Sequence, residues 1–135
     1  MRLLLFILSL FIISLNYVSL RAQDYSEGKV VFDSYSITLP SLSEKDAPLT
    51  VNFSWVNNSR NVSILITSAF VSCPCVTTEF DNELVPPGGR SLIKVTFNPK
   101  GKVGKYEKKV TVFTSLSSQK PTAILRLNIE VVPDK

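Results

Sequence analysis

The chain has no histidine among its 135 residues. Within a single chain, that absence excludes Ser-His-Asp hydrolysis, Cys-His nucleophiles and histidine-ligated metals. Methionine occurs once, as Met1, so the rest of the chain offers no thioether to a soft metal. Cysteine occurs only twice, at Cys73 and Cys75. A cysteine nucleophile without histidine needs another base, and no residue pattern supplies one. Carboxylates are sparse as well. Glu79, Asp81 and Glu83 lie close together, but they lack the spacing of a calcium loop and read as a solvated turn. After the N-terminal apolar run, no segment keeps a 3.6-residue period for three turns, so no amphipathic helix is expected. These absences predict a protein that is not an enzyme, with no catalytic residues, no metal and no cofactor. The Cys73/Cys75 pair is left as the single chemical candidate.

What is present begins with an address. Met1-Arg2 is followed by an apolar run to Leu20 and then by Arg21-Ala22-Gln23. A positive start, an apolar stretch and a small residue before a polar segment predict a signal peptide over residues 1–22. The rival is an uncleaved anchor, since residues 3–20 approach the roughly 17–25 residues that span a bilayer. Ser9, Ser14, Asn16 and Ser19 dilute that run and favour cleavage. Either way the domain, residues 23–135, is expected outside the cytoplasm, periplasmic or secreted. Without Arg2 and Arg21 the 15 basic residues become 13, against 11 acidic ones, and the net charge falls from +4 to +2. A balance so near neutral gives no reason to expect nucleic acid as a partner.

The mature segment alternates apolar and polar residues repeatedly. Val51, Phe53 and Trp55 form one such set, and Val62, Ile64 and Ile66 a second. Ile93, Val95 and Phe97, then Val110 and Val112, then Leu125, Leu127, Ile129 and Val131 form the others. Successive strand residues face opposite sides of a sheet, so each set predicts a half-buried strand. Residues 29–33 and 76–80 are weaker candidates. Pro40, Pro48, Asn57-Asn58, Pro86-Pro87-Gly88-Gly89, Asn98-Pro99, Gly101 and residues 115–121 fall between the runs, where turns are needed. The pattern predicts one all-β domain, a sandwich of about seven strands with Phe53 and Trp55 central to its core.

Several of these residues occur together in a known order. Phe53-Ser54-Trp55-Val56-Asn57-Asn58 precedes Ser72-Cys73-Pro74-Cys75-Val76-Thr77, then Val85-Pro86-Pro87-Gly88, then Phe97-Asn98-Pro99 and Gly104. This order resembles the bacterial exported domain-of-unknown-function family numbered 1573. That family has a Cys-Gly-Cys signature and is close in architecture to Hydin-like immunoglobulin-type domains. The resemblance covers residues 30–132. It implies an immunoglobulin-like β-sandwich, export in bacteria and no enzymatic activity, and it supplies no substrate or partner. One departure is visible: Pro74 stands where the family usually has glycine.

The cysteine pair admits three readings from its residues. Exported thiols tend to oxidise, which favours a local Cys73–Cys75 disulfide. Such a bond needs Cα atoms about 4.4–6.8 Å apart. An extended Pro74 sets them about 6.5 Å apart or more, and a helical ψ sets them about 5.5 Å apart, so the bond requires a bent Pro74. The tight ring so formed would be readily reduced and exchanged. A soft-metal site is the second reading, with Glu79 or Asp81 as the nearest further ligands for zinc. The third is a pair of small apolar side chains at a strand edge, with no chemical role.

Lys100, Lys102, Lys105, Lys108 and Lys109 make a basic run. It reads as a soluble hairpin whose lysines discourage edge-to-edge aggregation, or as a contact for an acidic polysaccharide or lipid head group. Asn52, Asn57 and Asn61 each open a glycosylation triplet, read here as chance matches in a polar turn region. The expectation for function is a non-enzymatic binding or structural module. Its partner would be a protein or glycan of the cell envelope, and a membrane only if the N-terminal segment is uncleaved. Residues 73–77 and 85–90 are the expected contact loops, with an exposed edge strand as another route. The alternative is a redox-labile or soft-metal protein that uses Cys73 and Cys75.

Overall fold

The computed structural model describes residues 28–134. The expected signal peptide, its cleavage site and the leader up to residue 27 lie outside the described residues. Those residues contain nine strands and no helix. The strands are β1 (Val30–Phe32), β2 (Ser36–Thr38), β3 (Leu42–Ser43), β4 (Leu49–Asn57), β5 (Ile66–Phe70), β6 (Val76–Phe80), β7 (Arg90–Phe97), β8 (Gly104–Thr114) and β9 (Ala123–Val132). One antiparallel sheet runs β1-β4-β7-β6. The other runs β2-β9-β8-β5, with β3 also on β9.

The alternating sets predicted from sequence face each other across the two sheets. Phe53 and Trp55 of β4 and Ile93, Val95 and Phe97 of β7 are buried from one side. Val110 and Val112 of β8 and the four alternating apolar residues of β9 are buried from the other. Each large side chain so buried contributes about 1.5–3 kcal/mol, and together these layers hold the sandwich closed. The Trp55 Nε1 finds no acceptor among the described residues. The packing of the ring therefore outweighs an unmet donor that costs about 1–3 kcal/mol.

Two features depart from the seven-strand expectation. Residues 36–43 run alongside β9 in parallel as two short strands, and the register slips by one residue across Pro40. Proline has no N–H to give to a ladder, so this pairing breaks into pieces too short for period-two patterning to reveal. The second departure lies at residues 62–66. Only Ile66 begins a strand there, while Ile64 is held by a single bridge to Val85. Ile64 and Ile66 are nonetheless fully buried, so the alternation located the inward face correctly and placed the strand too early.

Candidate functional site

Strand β5 closes one edge of its sheet and β6 closes one edge of the other, and residues 71–75 carry the chain between them. This crossing is a tight turn at Pro74 and Cys75, in which the Val76 N–H donates to the Cys73 carbonyl at 3.2 Å. The bend brings the Cα atoms of Cys73 and Cys75 to 5.3 Å, and a disulfide joins the two sulfurs. Proline favours such a turn because its ring fixes φ. The Cys75 carbonyl accepts from the Asn98 N–H at 2.9 Å, pinning the turn beside the end of β7. The Cys75 N–H donates to Cys73 Sγ at 3.3 Å. Cys75 is 9% exposed and packs with the core, while Cys73 is half-buried. Both sulfurs are engaged in the bond, so neither is a thiolate able to ligate a metal.

The disulfide borders the core, with Cys75 packed in it and Cys73 packed against it. It lines a cleft of about 100 Å³ with Phe97, Lys102, Tyr106 and Lys108. Tyr106 and Lys108 share the period-two face of Val110 and Val112, so β8 turns them inward toward the crossing. Lys108 Nζ stands 5.3 Å from the Tyr106 ring centroid, a cation–π distance. The Tyr106 hydroxyl donates to the Val103 carbonyl at 2.6 Å. That fold-back runs over Gly104, whose φ is 135°, and a Cβ there would meet the hydroxyl at 3.1 Å. Sequence reasoning noticed the lysines and the cysteines separately. The available signal was that Lys108, Tyr106 and Val110 share one parity while Lys105 and Lys109 share the other.

Beside the cleft, one edge of β8 is open. Strand β5 pairs with β8 only between Thr111 and Thr114. Over residues 104–110, β8 is paired with β9 and, among the described residues, with nothing on its other side. The Val112 carbonyl accepts from Thr122 on the β9 side, and the Ser115 N–H donates to Leu65 on the β5 side. Backbone groups alternate sides along a strand, so those of Lys105, Glu107 and Lys109 face the open side.

The other contact loop expected from sequence lies elsewhere. Residue 90 pairs with Val56 at one end of β4, whereas Val76 and Leu49 both pair with Phe97 at the other. The turn at residues 85–90 and the cysteine turn are thus separated by the length of β7, about 23 Å at ~3.3 Å per residue. The Pro86-Pro87-Gly88-Gly89 segment forms a type II turn, closed by the Gly89 N–H on the Pro86 carbonyl at 2.8 Å, with Gly88 at φ 79°. Its backbone is bound to Asn57, which is 0% exposed. The Asn57 N–H donates to Gly89, its carbonyl accepts from Gly88, and its Nδ2 donates to Val62 and Val85 at 2.7 and 2.8 Å. Asn57 is therefore a buried knot, not part of an exposed polar turn. Among the described residues, no three or more of His, Cys, Asp and Glu gather in a metal-holding group. Glu79 lies up β6 from the cysteine turn, opposite Lys94.

The model for the family described as "Protein of unknown function (DUF1573)" matches residues 30–131. The chain belongs to that family. No curated protein sequence matches this DUF1573 chain. Among solved structures, a Porphyromonas gingivalis W83 protein of unknown function superposes with a TM-score of 0.60 at 14% identity, over 75% of this chain and 46% of that one. The ASH/PapD-like domain 7 of human CEP192 gives 0.61 at 15% identity, over 79% of this chain and 87% of that domain. The Vibrio cholerae VesB protease gives 0.54 at 12% identity, over 78% of this chain and 33% of the protease. The DUF1573 chain thus spans about half of the first protein and about a third of the protease. Identities this low establish the fold alone: an immunoglobulin-like, PapD-like β-sandwich.

Proposed function

We propose that this domain is an exported, non-enzymatic binding module, periplasmic or secreted, that takes an extended acidic segment of an envelope protein onto the open edge of β8. The carrying observation is the unpaired stretch of β8 at residues 104–110, next to Lys102, Lys105, Lys108 and Lys109. An open edge offers a row of backbone donors and acceptors to an added strand, and alternate side chains then find their own pockets. The lysines favour acidic residues at those positions and disfavour pairing with a second, equally basic copy of this edge. The Cys73–Cys75 disulfide supports an address outside the reducing cytoplasm.

The test uses a short synthetic peptide alternating valine and glutamate. Saturable binding is expected, with NMR shifts concentrated at the amides of Lys105, Glu107 and Lys109. Lys109→Pro removes one N–H from the open side and leaves the β9 ladder intact. The loss of that bond is expected to weaken binding about tenfold. Shifts centred on residues 85–90, or equal binding by the proline variant, overturn the reading.

A further inference from the structure

The Cys73–Cys75 bond is poorly suited to be a structural staple. Closing so short a loop restricts the unfolded chain far less than closing a longer loop does. The bond also lines a cleft at the margin of the core, and one of its two residues, Cys73, is only half-buried. Two lysines line that cleft together with the sulfurs, one of them over the Tyr106 ring. The Cys75 N–H already points at Cys73 Sγ. Cationic side chains and amide donors around a sulfur favour its thiolate over its thiol.

We infer that the Cys73–Cys75 pair is a thiol–disulfide exchange site, in which Cys73 is the exchanging sulfur and Lys102 and Lys108 stabilise the thiolates. The inference does not depend on strand addition at β8. The substrate class is a thiol, ideally a dithiol. One thiol of the reductant loses its proton to solvent and attacks Cys73 Sγ, the more accessible sulfur. The bond between the reductant's sulfur and Cys73 forms as the Cys73–Cys75 bond breaks. Cys75 leaves as a thiolate into the lysine-lined cleft. The second thiol of the reductant, also deprotonated, then attacks its own sulfur partner and releases Cys73 as a thiolate. Two electrons pass from the dithiol to the domain, the dithiol ends as a disulfide, and the protons it lost are available to the two cysteines. In the reverse direction the Cys73 thiolate, held by the Cys75 N–H, attacks an external disulfide, and Cys75 resolves the mixed disulfide. The exchange is stoichiometric, so it is consistent with a non-enzymatic module.

The folded, oxidised domain is mixed separately with glutathione and with a protein carrying a reduced Cys-x-x-Cys dithiol. Reduction by either, at a denaturant-free pH of about 7, supports the assignment, and the ratio of the two rates identifies the better source. Reduction by neither overturns it. On the reduced domain, a limiting amount of iodoacetamide is expected to label Cys73 about tenfold over Cys75. Equal labelling, or labelling centred on Cys75, overturns the assignment of Cys73. Lys102→Gln and Lys108→Gln are each expected to slow the attack of reduced Cys73 on oxidised glutathione about threefold. A thiol pKa raised by one unit loses about tenfold in thiolate and regains about threefold in nucleophilicity. Unchanged rates in both variants, with an unchanged circular dichroism spectrum, remove the lysines from the site.

Discussion

A single buried residue holds one end of the sandwich together. Asn57 is completely enclosed, and its side chain is fully bonded: Nδ2 donates twice, and Oδ1 accepts from the Ser59 N–H at 3.0 Å and the Ser59 hydroxyl at 2.6 Å. A buried amide is tolerated only when satisfied in this way. It ties the end of β4 to residue 62 and to the type II turn before β7. Asn57→Ala leaves the Ser59 amide unmet and opens space in the core. The Val85 carbonyl keeps the Ile64 N–H, and the Ser59 hydroxyl, released from Oδ1, is free to donate its one proton to the Val62 carbonyl, which limits the loss. A cost of about 2–4 kcal/mol is expected from urea unfolding, and Ser59→Ala should cost about 1 kcal/mol. In sequence, Asn57 looked like turn punctuation or a glycosylation triplet. Asparagine in a turn and asparagine bonding a turn from beneath have the same local spelling. The cysteine pair was more legible, because one intervening residue sets the Cα separation almost by itself.

At the scale of elements, strands with a long two-faced pattern were readable and strands defined by a partner were not. β4, β7 and β9 alternate over most of their length and β8 does so at Val110 and Val112, so these inward faces were visible in advance. β2 and β3 exist because β9 lies alongside them, some 90 residues later in the chain, and nothing local marks them. The cleft was hidden for the same reason: it forms where β8 outruns β5 and meets the cysteine crossing. The start of β8 supplies a direct check. Gly104 combines a φ of 135° with the close approach of the Tyr106 hydroxyl. Gly101 has a positive φ of 68° but nothing within 4 Å of the position a Cβ would take. Gly101→Ala is expected to cost about 1 kcal/mol, the backbone effect alone. Gly104→Ala should cost about 2–3 kcal/mol, because the Tyr106 ring must also move. It should shift the Tyr106 ring resonances as well. Equal thermal stability of the two variants would show that Tyr106 is not folded back over Gly104.

For the whole molecule, the question is whether the fold or the disulfide comes first. Two facing layers of large apolar side chains, contributed by β4, β7, β8 and β9, close the sandwich without covalent help. A domain of this size buries enough surface to be stable without disulfides, which are needed mainly in much smaller secreted domains. The short Cys73–Cys75 loop adds at most about 1.6 kcal/mol through the unfolded chain. Reduction is therefore expected to lower the melting temperature by no more than about 10 °C. Cooperative unfolding and the strand-rich circular dichroism spectrum should persist. A reduced domain that remains folded is also what exchange chemistry requires, since both redox states must keep Lys102, Tyr106 and Lys108 around the sulfurs. If reduction unfolds the domain, the bond is a staple after all, and the lysine-lined cleft does not outlast its loss.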